Sequence, residues 1–272
     1  IGVYGGSFLI YFLSAFLAFS CILRNKIYLS LGILSVLIFF PQNNFHSEYY
    51  GKSIEIGIIQ PALDPFKKFQ AGEATNIEET LLNLSEKHSK VDLIIWPESP
   101  FPYLNSSPQM KALLSKTDNF PIILSGTWEY NNNKLFNALT LLGANQSYYK
   151  RHLVPFGEYV PFERIIRGLI EFFDLPMSSI TQGRSKQELF NIKEFKVLGM
   201  ICFDVAFPLS FIEETKKADF IVNVSNDTWF GSSYGPYQHL QIVRARALEA
   251  NKWIVRGTVS YTHLTLPTKR IV

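Results

Sequence analysis

The sequence has two cysteines, Cys21 and Cys202, too few for a disulfide framework or a multi-cysteine metal site. Charge is also scarce. Asp, Glu, Lys and Arg make up 18% of the 272 residues, below the roughly 25% usual for soluble globular chains. The 26 basic residues nearly balance the 23 acidic ones, and a net charge of +3 leaves no electrostatic footprint for a nucleic-acid partner. What is abundant is apolar: 47% of residues are hydrophobic and 15% aromatic, which excludes intrinsic disorder.

The apolar excess lies at the front. Ile1 to Leu23 contains no charged residue, and about 20 such residues suffice for a helix to cross the bilayer core. A second uncharged run, Ile27 to Phe40, follows Arg24-Asn25-Lys26 and stops at Pro41. It is short for a span and must borrow flanking residues or let Arg24 and Lys26 snorkel. A buried hairpin of a soluble domain would show a polar face, and neither run has one. The two basic residues of the connection place it in the cytoplasm by the positive-inside rule, so the chain beyond Pro41 emerges on the far side, in a bacterium the periplasm. The chain opens with Ile1 inside an apolar run and reads as a segment of a longer membrane protein.

Beyond a polar connector the pattern is α/β. Strands are expected at Ile54 to Gln60, Val91 to Trp96, Pro121 to Glu129, Asn137 to Leu142, Ser147 to Lys150, Lys196 to Phe203 and Phe220 to Ser225. Helices are expected at Asn76 to His88 and Tyr237 to Asn251, and alternation of this kind indicates a layered domain. Between Val160 and Pro176, residues Phe162, Ile165, Ile166, Leu169, Ile170, Phe172 and Phe173 fall at helical spacing. That face is expected either in the core or dipping into a lipid leaflet, with Arg164 and Arg167 at the headgroups.

Three polar residues stand at the ends of expected strands: Glu98 in Trp-Pro-Glu-Ser, Lys150 in Tyr-Tyr-Lys-Arg-His, and Cys202 in Ile-Cys-Phe-Asp. Acyl transfer needs a nucleophile, a base for its proton and a group to stabilise the oxyanion, and Cys, Glu and Lys can fill those roles. Taken singly each has a plainer reading: Cys202 as a small core filler, Glu98 as a helix-start residue, Lys150 as a surface charge. His239 has no second ligand spaced to make a metal site and reads as a hydrogen-bonding residue. His152 beside Lys150 invites assignment as a base. Asn226 to Trp229 reads as a turn.

Four motifs in order, Trp-Pro-Glu-Ser, Lys-Arg-His-Leu-Val-Pro-Phe-Gly-Glu-Tyr-Val-Pro, Ile-Cys-Phe-Asp and Val-Ser-Asn-Asp-Thr-Trp-Phe-Gly, are followed by Gln-His and Arg-Ala-Arg-Ala-Leu-Glu. Together they resemble the nitrilase superfamily, and more closely its membrane branch, the apolipoprotein N-acyltransferases. The resemblance implies a nitrilase-like αββα sandwich preceded by two transmembrane helices. Its domains would be a transmembrane hairpin over 1–45 and a catalytic domain over 46–258, with 259–272 expected to be a non-native tail. It also implies Glu98 as general base, Lys150 as oxyanion-stabilising lysine and Cys202 as nucleophile, with Glu158 supporting them. The implied reaction moves an acyl chain from a phospholipid through a Cys202 thioester to the α-amino group of a diacylglyceryl-modified apolipoprotein cysteine, with no metal or cofactor. A membrane-tethered amidase, with water resolving the thioester, is the alternative.

Some positions depart from the family. Phe203 stands where a Tyr often follows the nucleophile, Asp204 where a supporting Glu is usual, and Phe69 where a Trp is expected in the loop over the site. With Trp229, Phe203 and Phe69 are the expected contacts for substrate. After Thr258 the family's further strands are replaced by an unrelated stretch, which is expected to leave a sheet edge unpaired and the chain poorly stable or inactive.

Overall fold

The computed structural model describes residues 2–39, 52–64, 67–161, 180–260 and a strand at 263–265; the Phe162 to Phe173 stretch lies outside them. The described residues form two compact units, a helical pair and an α/β body. In the first, α1 (Gly2–Leu23) and α2 (Lys26–Phe39) are joined at Arg24 and Asn25. Asn25 opens α2 by accepting a hydrogen bond from the Ile27 amide at 2.9 Å. The 22 residues of α1 give about 33 Å of helix, while the 14 of α2 give about 21 Å. Only α1 is long and apolar enough to cross a membrane among the described residues, and its apolar window is unburied.

The body opens with β1 (Ile56–Ile58), α3 (Glu73–Glu86), β2 (Leu93–Ile95), α4 (Pro108–Lys116), β3 (Ile122–Asn131), β4 (Lys134–Leu141) and β5 (Gln146–Tyr149). The five strands make one sheet in sequence order, parallel from β1 to β3 and antiparallel from β3 to β5. A second sheet has the order β10-β9-β8-β7-β6. It comprises β6 (Phe190–Ile192), β7 (Phe195–Ile201), β8 (Phe220–Ser225), β9 (Ile254–Thr258) and β10 (His263–Thr265). Helix α5 (Ile212–Lys217) links β7 to β8, and α6 (Gly235–Ala250) links β8 to β9.

Strand periodicity explains the layering. In β2, Leu93 and Ile95 face the second sheet and join the core made with Val197, Ile201, Val222 and Ile254. Ile94 and the following Trp96 point the other way, onto Ile77 and Leu81 of α3 and Met110 and Leu113 of α4. Burial on both faces is why β2 reads as a continuous apolar run. Val243 and Ala247 of α6 pack on the outer face of the second sheet, completing the αββα order. The Trp96 indole donates to Ser85 Oγ at 2.9 Å, so the polar edge of a buried ring is satisfied by the helix it packs on.

The expected unpaired edge, and with it the ground for expecting an unstable or inactive chain, is not found at β9. Residues 263–265 pair with it antiparallel, with Leu264 opposite Val255. Three adjacent backbone pairs need little from side chains, so a segment with no strand pattern of its own can occupy the position.

Candidate active site

Glu98 follows β2, Lys150 follows β5, and Cys202 opens a 3₁₀ turn (Cys202–Ala206) directly after β7. Each of these strands is paired within a sheet, so the ends are held by the backbone ladders. Lys150 is 2% exposed and Glu98 8%. Lys150 Nζ lies 2.8 Å from Glu158 Oε1 and 3.3 Å from Glu98 Oε1. The Asn226 amide donates to the other Glu98 oxygen at 2.9 Å.

Asn137, in the middle of β4, ties the two carboxylates together. Its Nδ2 donates to Glu98 Oε1 at 2.8 Å and to Glu158 Oε1 at 3.1 Å, while its Oδ1 accepts from Ser99 Oγ at 3.0 Å. Glu158 also accepts from the Val154 amide at 2.9 Å, which fixes the loop that carries it. Glu158 is thus in direct contact with Lys150.

Burial works against charge on Lys150, but Glu98, Cys202 and Glu158 together outweigh it and hold the ammonium well above the ordinary lysine range. The Cys202 thiol is pushed up to about 12, first by burial and then by the negative charge of Glu98, with Lys150 only partly offsetting them. A neighbouring ammonium is thus not enough to make a resting thiolate. The arrangement suits a thiol that gives up its proton to a base at the moment of attack.

Asp204 reaches inward rather than toward the carboxylates. It accepts from the Ile201 amide at 3.1 Å, the Tyr148 hydroxyl at 2.9 Å and the His152 amide at 2.8 Å. It therefore braces the turn after Cys202 against the strand end of Lys150. Burial raises its carboxyl to about 6, against the opposing pull of Lys150 and these donors. His152 does not serve the cluster: its ring stacks on Phe207 at 4.0 Å and its Nε2 lies 2.8 Å from Ser210 Oγ.

Phe69, Phe203 and Trp229 are 54%, 39% and 55% exposed. Asn226 to Trp229 is a turn, with the Asn226 side chain accepting from the Thr228 amide at 3.3 Å. Lys68 is a residue that sequence reading missed. It donates to the Ser99 carbonyl and lies 5.4 Å from the centroids of both Phe69 and Trp128. Burial lowers it to about 8, with the Glu98 charge opposing. Asn137, Asn223 and Arg256 were missed as well. All three interrupt otherwise apolar strands, and a buried polar residue in such a place has partners to satisfy.

Residues 56–261 match the carbon–nitrogen hydrolase family. The chain belongs to that family. Among solved structures it is similar to a CN-hydrolase superfamily protein from Xanthomonas campestris (TM-score 0.57, 19% identity, 76% of each chain). It is also similar to a carbon–nitrogen hydrolase from Helicobacter pylori (TM-score 0.51, 18% identity, 75% of this chain and 73% of that one). These likenesses concern the fold. In sequence it is 34% identical to an apolipoprotein N-acyltransferase of Pseudomonas syringae pv. tomato over 76% of this chain and 43% of the relative. It is 35% identical to one of Pseudomonas paraeruginosa over 82% and 45%. With that of Shewanella oneidensis the identity is 29% over 95% and 54%. The chain thus spans about half the length of these relatives.

Proposed function

We propose that this carbon–nitrogen hydrolase chain performs the acyl transfer of an apolipoprotein N-acyltransferase, with Cys202 as nucleophile, Glu98 as general base and Lys150 stabilising the oxyanion. The observation that carries the proposal is the buried contact of Lys150 with Glu98 and Glu158 beside the end of the strand that delivers Cys202. The name shared by its bacterial relatives supports it. The unburied apolar window of α1 supports a membrane setting, with α2 as a second, shorter span and the body on the periplasmic side.

In the proposed sequence Cys202 gives its proton to Glu98 as the sulfur adds to a phospholipid ester carbonyl. The tetrahedral oxyanion collapses, the carbon–oxygen bond breaks, and Glu98 returns the proton to the departing lysophospholipid alkoxide. The α-amino group of a diacylglyceryl-cysteine then adds to the thioester and loses a proton to Glu98. Collapse forms the amide and returns that proton to the sulfur. Both oxyanions form where Lys150 holds its charge. Phe69, Phe203 and Trp229 offer apolar rings to the acyl chain, and Glu158 and Asn137 keep Lys150 and Glu98 in register.

The test supplies phospholipid with a labelled acyl chain and a peptide bearing diacylglyceryl-cysteine at its N-terminus. Labelled amide that is lost in Cys202→Ala, Glu98→Gln and Lys150→Ala is the expected product. Labelled free fatty acid with no amide would instead establish a membrane-tethered hydrolase.

A further inference from the structure

Behind Cys202 lies a buried polar group that the proposed chemistry does not use. Arg256 and Asp227 are fully buried and His239 is 3% exposed. His239 Nε2 is 3.1 Å from the Cys202 carbonyl oxygen, and Asn223 Nδ2 donates to the same oxygen at 3.2 Å. The other ring nitrogen of His239 lies 3.0 Å from Asp227 Oδ1 and 3.1 Å from Arg256 Nη2. Arg256 in turn donates to Asp227 Oδ2 and, at 3.0 Å, to Asn223 Oδ1, and Ser225 Oγ donates to Asp227 Oδ1 at 2.7 Å.

A carbonyl oxygen only accepts, so this geometry requires the proton of His239 on Nε2. Nδ1 is satisfied in either charge state, donating to Asp227 or accepting from Arg256. The ring is therefore fixed in both orientation and tautomer from behind.

Cys202 needs such a hold because its φ is +50°, in the left-handed region that a non-glycine residue adopts at a cost. No cis peptide bond occurs among the described residues. In a planar trans peptide the carbonyl of one residue and the N–H of the next point in opposite directions. Pinning the Cys202 carbonyl against α6 and β8 thus aims the Phe203 N–H away from them.

We propose that His239, held by Asp227 and Arg256, is a positioning residue that pins the Cys202 carbonyl so that the Phe203 amide is presented to the oxyanion formed in acyl transfer. This rests on the acyl-transfer reading above. A core network that only stabilised the fold would have no preference between reactions at the same sulfur, and that difference is measurable.

The experiment uses the full chain in detergent micelles with Cys21→Ser, so that Cys202 is its single thiol. Two rates at that sulfur are compared: acylation by p-nitrophenyl butyrate, which builds an oxyanion, and alkylation by iodoacetamide, which does not. His239→Met is expected to slow acylation roughly 100-fold, the usual cost of an oxyanion donor, and to leave alkylation within about twofold. His239→Gln, similar in size but with an N–H to offer, is expected to recover most of the acylation rate. An equal fall in both reactions, no fall in either, or no recovery with Gln overturns the proposal. If the parent chain is alkylated but not acylated, the acyl-transfer reading falls and the proposal with it. Should His239→Met not fold, His239→Ala against His239→Gln makes the same comparison.

Discussion

Cys202 pairs a strained backbone with a thiol that burial and Glu98 keep protonated. Alkylation of the free site should therefore rise about tenfold per pH unit from pH 7 to 10, because the thiolate fraction is far from saturation below the raised value near 12. Iodoacetamide rates that level off above about pH 9 would show an ordinary thiol, which titrates at about 8.5. Asn137 is the other decisive residue, since its amide bridges Glu98 and Glu158. Asn137→Leu keeps the volume and removes the bridge, and acylation should fall roughly 10- to 100-fold, the cost of a hydrogen bond to a charged group. An unchanged rate would show that Lys150 alone keeps the carboxylates in place. Glu98, Lys150 and Cys202 were visible because each stands at the end of an expected strand and within a motif that resembles the nitrilase superfamily. Asn137 and Arg256 were less visible because their partners lie far away in the chain, and spacing along one strand does not reveal which partner a buried amide or guanidinium meets.

At the scale of elements, the approach of the Glu98 turn to β3 depends on a missing side chain. A Cβ at Gly126 would lie 2.2 Å from the Ser99 nitrogen and 2.7 Å from the Glu98 Cα. Gly183 does the same for the other charged residue: a Cβ there would lie 2.3 Å from the Tyr149 carbonyl oxygen, and its amide donates to the Lys150 carbonyl at 2.8 Å. Gly126→Ala should destabilise the body by about 1–3 kcal/mol and slow acylation, by displacing the Glu98 turn. Thermal unfolding and the ester assay check both, and normal values for both would contradict the close approach. Elements marked by an apolar run were legible, as with β8, which spans Phe220–Ser225 as expected, and β2, whose three residues lie inside the expected Val91 to Trp96. Elements without such a run were not. Helix α4 has only nine residues, and its signature is the Ser107 cap accepting from the Met110 amide, with Pro108 in the first turn. Strands β6 and β10 carry polar residues among their three, Asn191 in one and His263 and Thr265 in the other, and neither lies in a longer apolar run.

At the scale of the whole molecule, the helical pair and the α/β body are separate compact units. A chain beginning at Lys52 should retain the cooperative unfolding of the body while losing its association with phospholipid vesicles. Circular dichroism and vesicle flotation check the two halves of that statement, and flotation of the shortened chain would move the lipid contact into the body. That the body is layered was legible because the strands alternate with amphipathic helices, whereas the αββα order is implied only by the resemblance to the nitrilase superfamily; the apolar front was legible from its lack of charge. The pairing of β10 with β9 was not, because backbone hydrogen bonds alone can recruit an edge segment whose side chains carry no matching pattern. The central claim is that Cys202 carries the acyl chain. Intact-mass and peptide mass spectrometry of the chain in phospholipid vesicles, with and without Cys202→Ala, tests it directly. The expected result is one hydroxylamine-labile acyl group on the peptide containing Cys202 and none in the variant; an unmodified Cys202, or an acyl group that persists when it is replaced, would overturn its role as nucleophile.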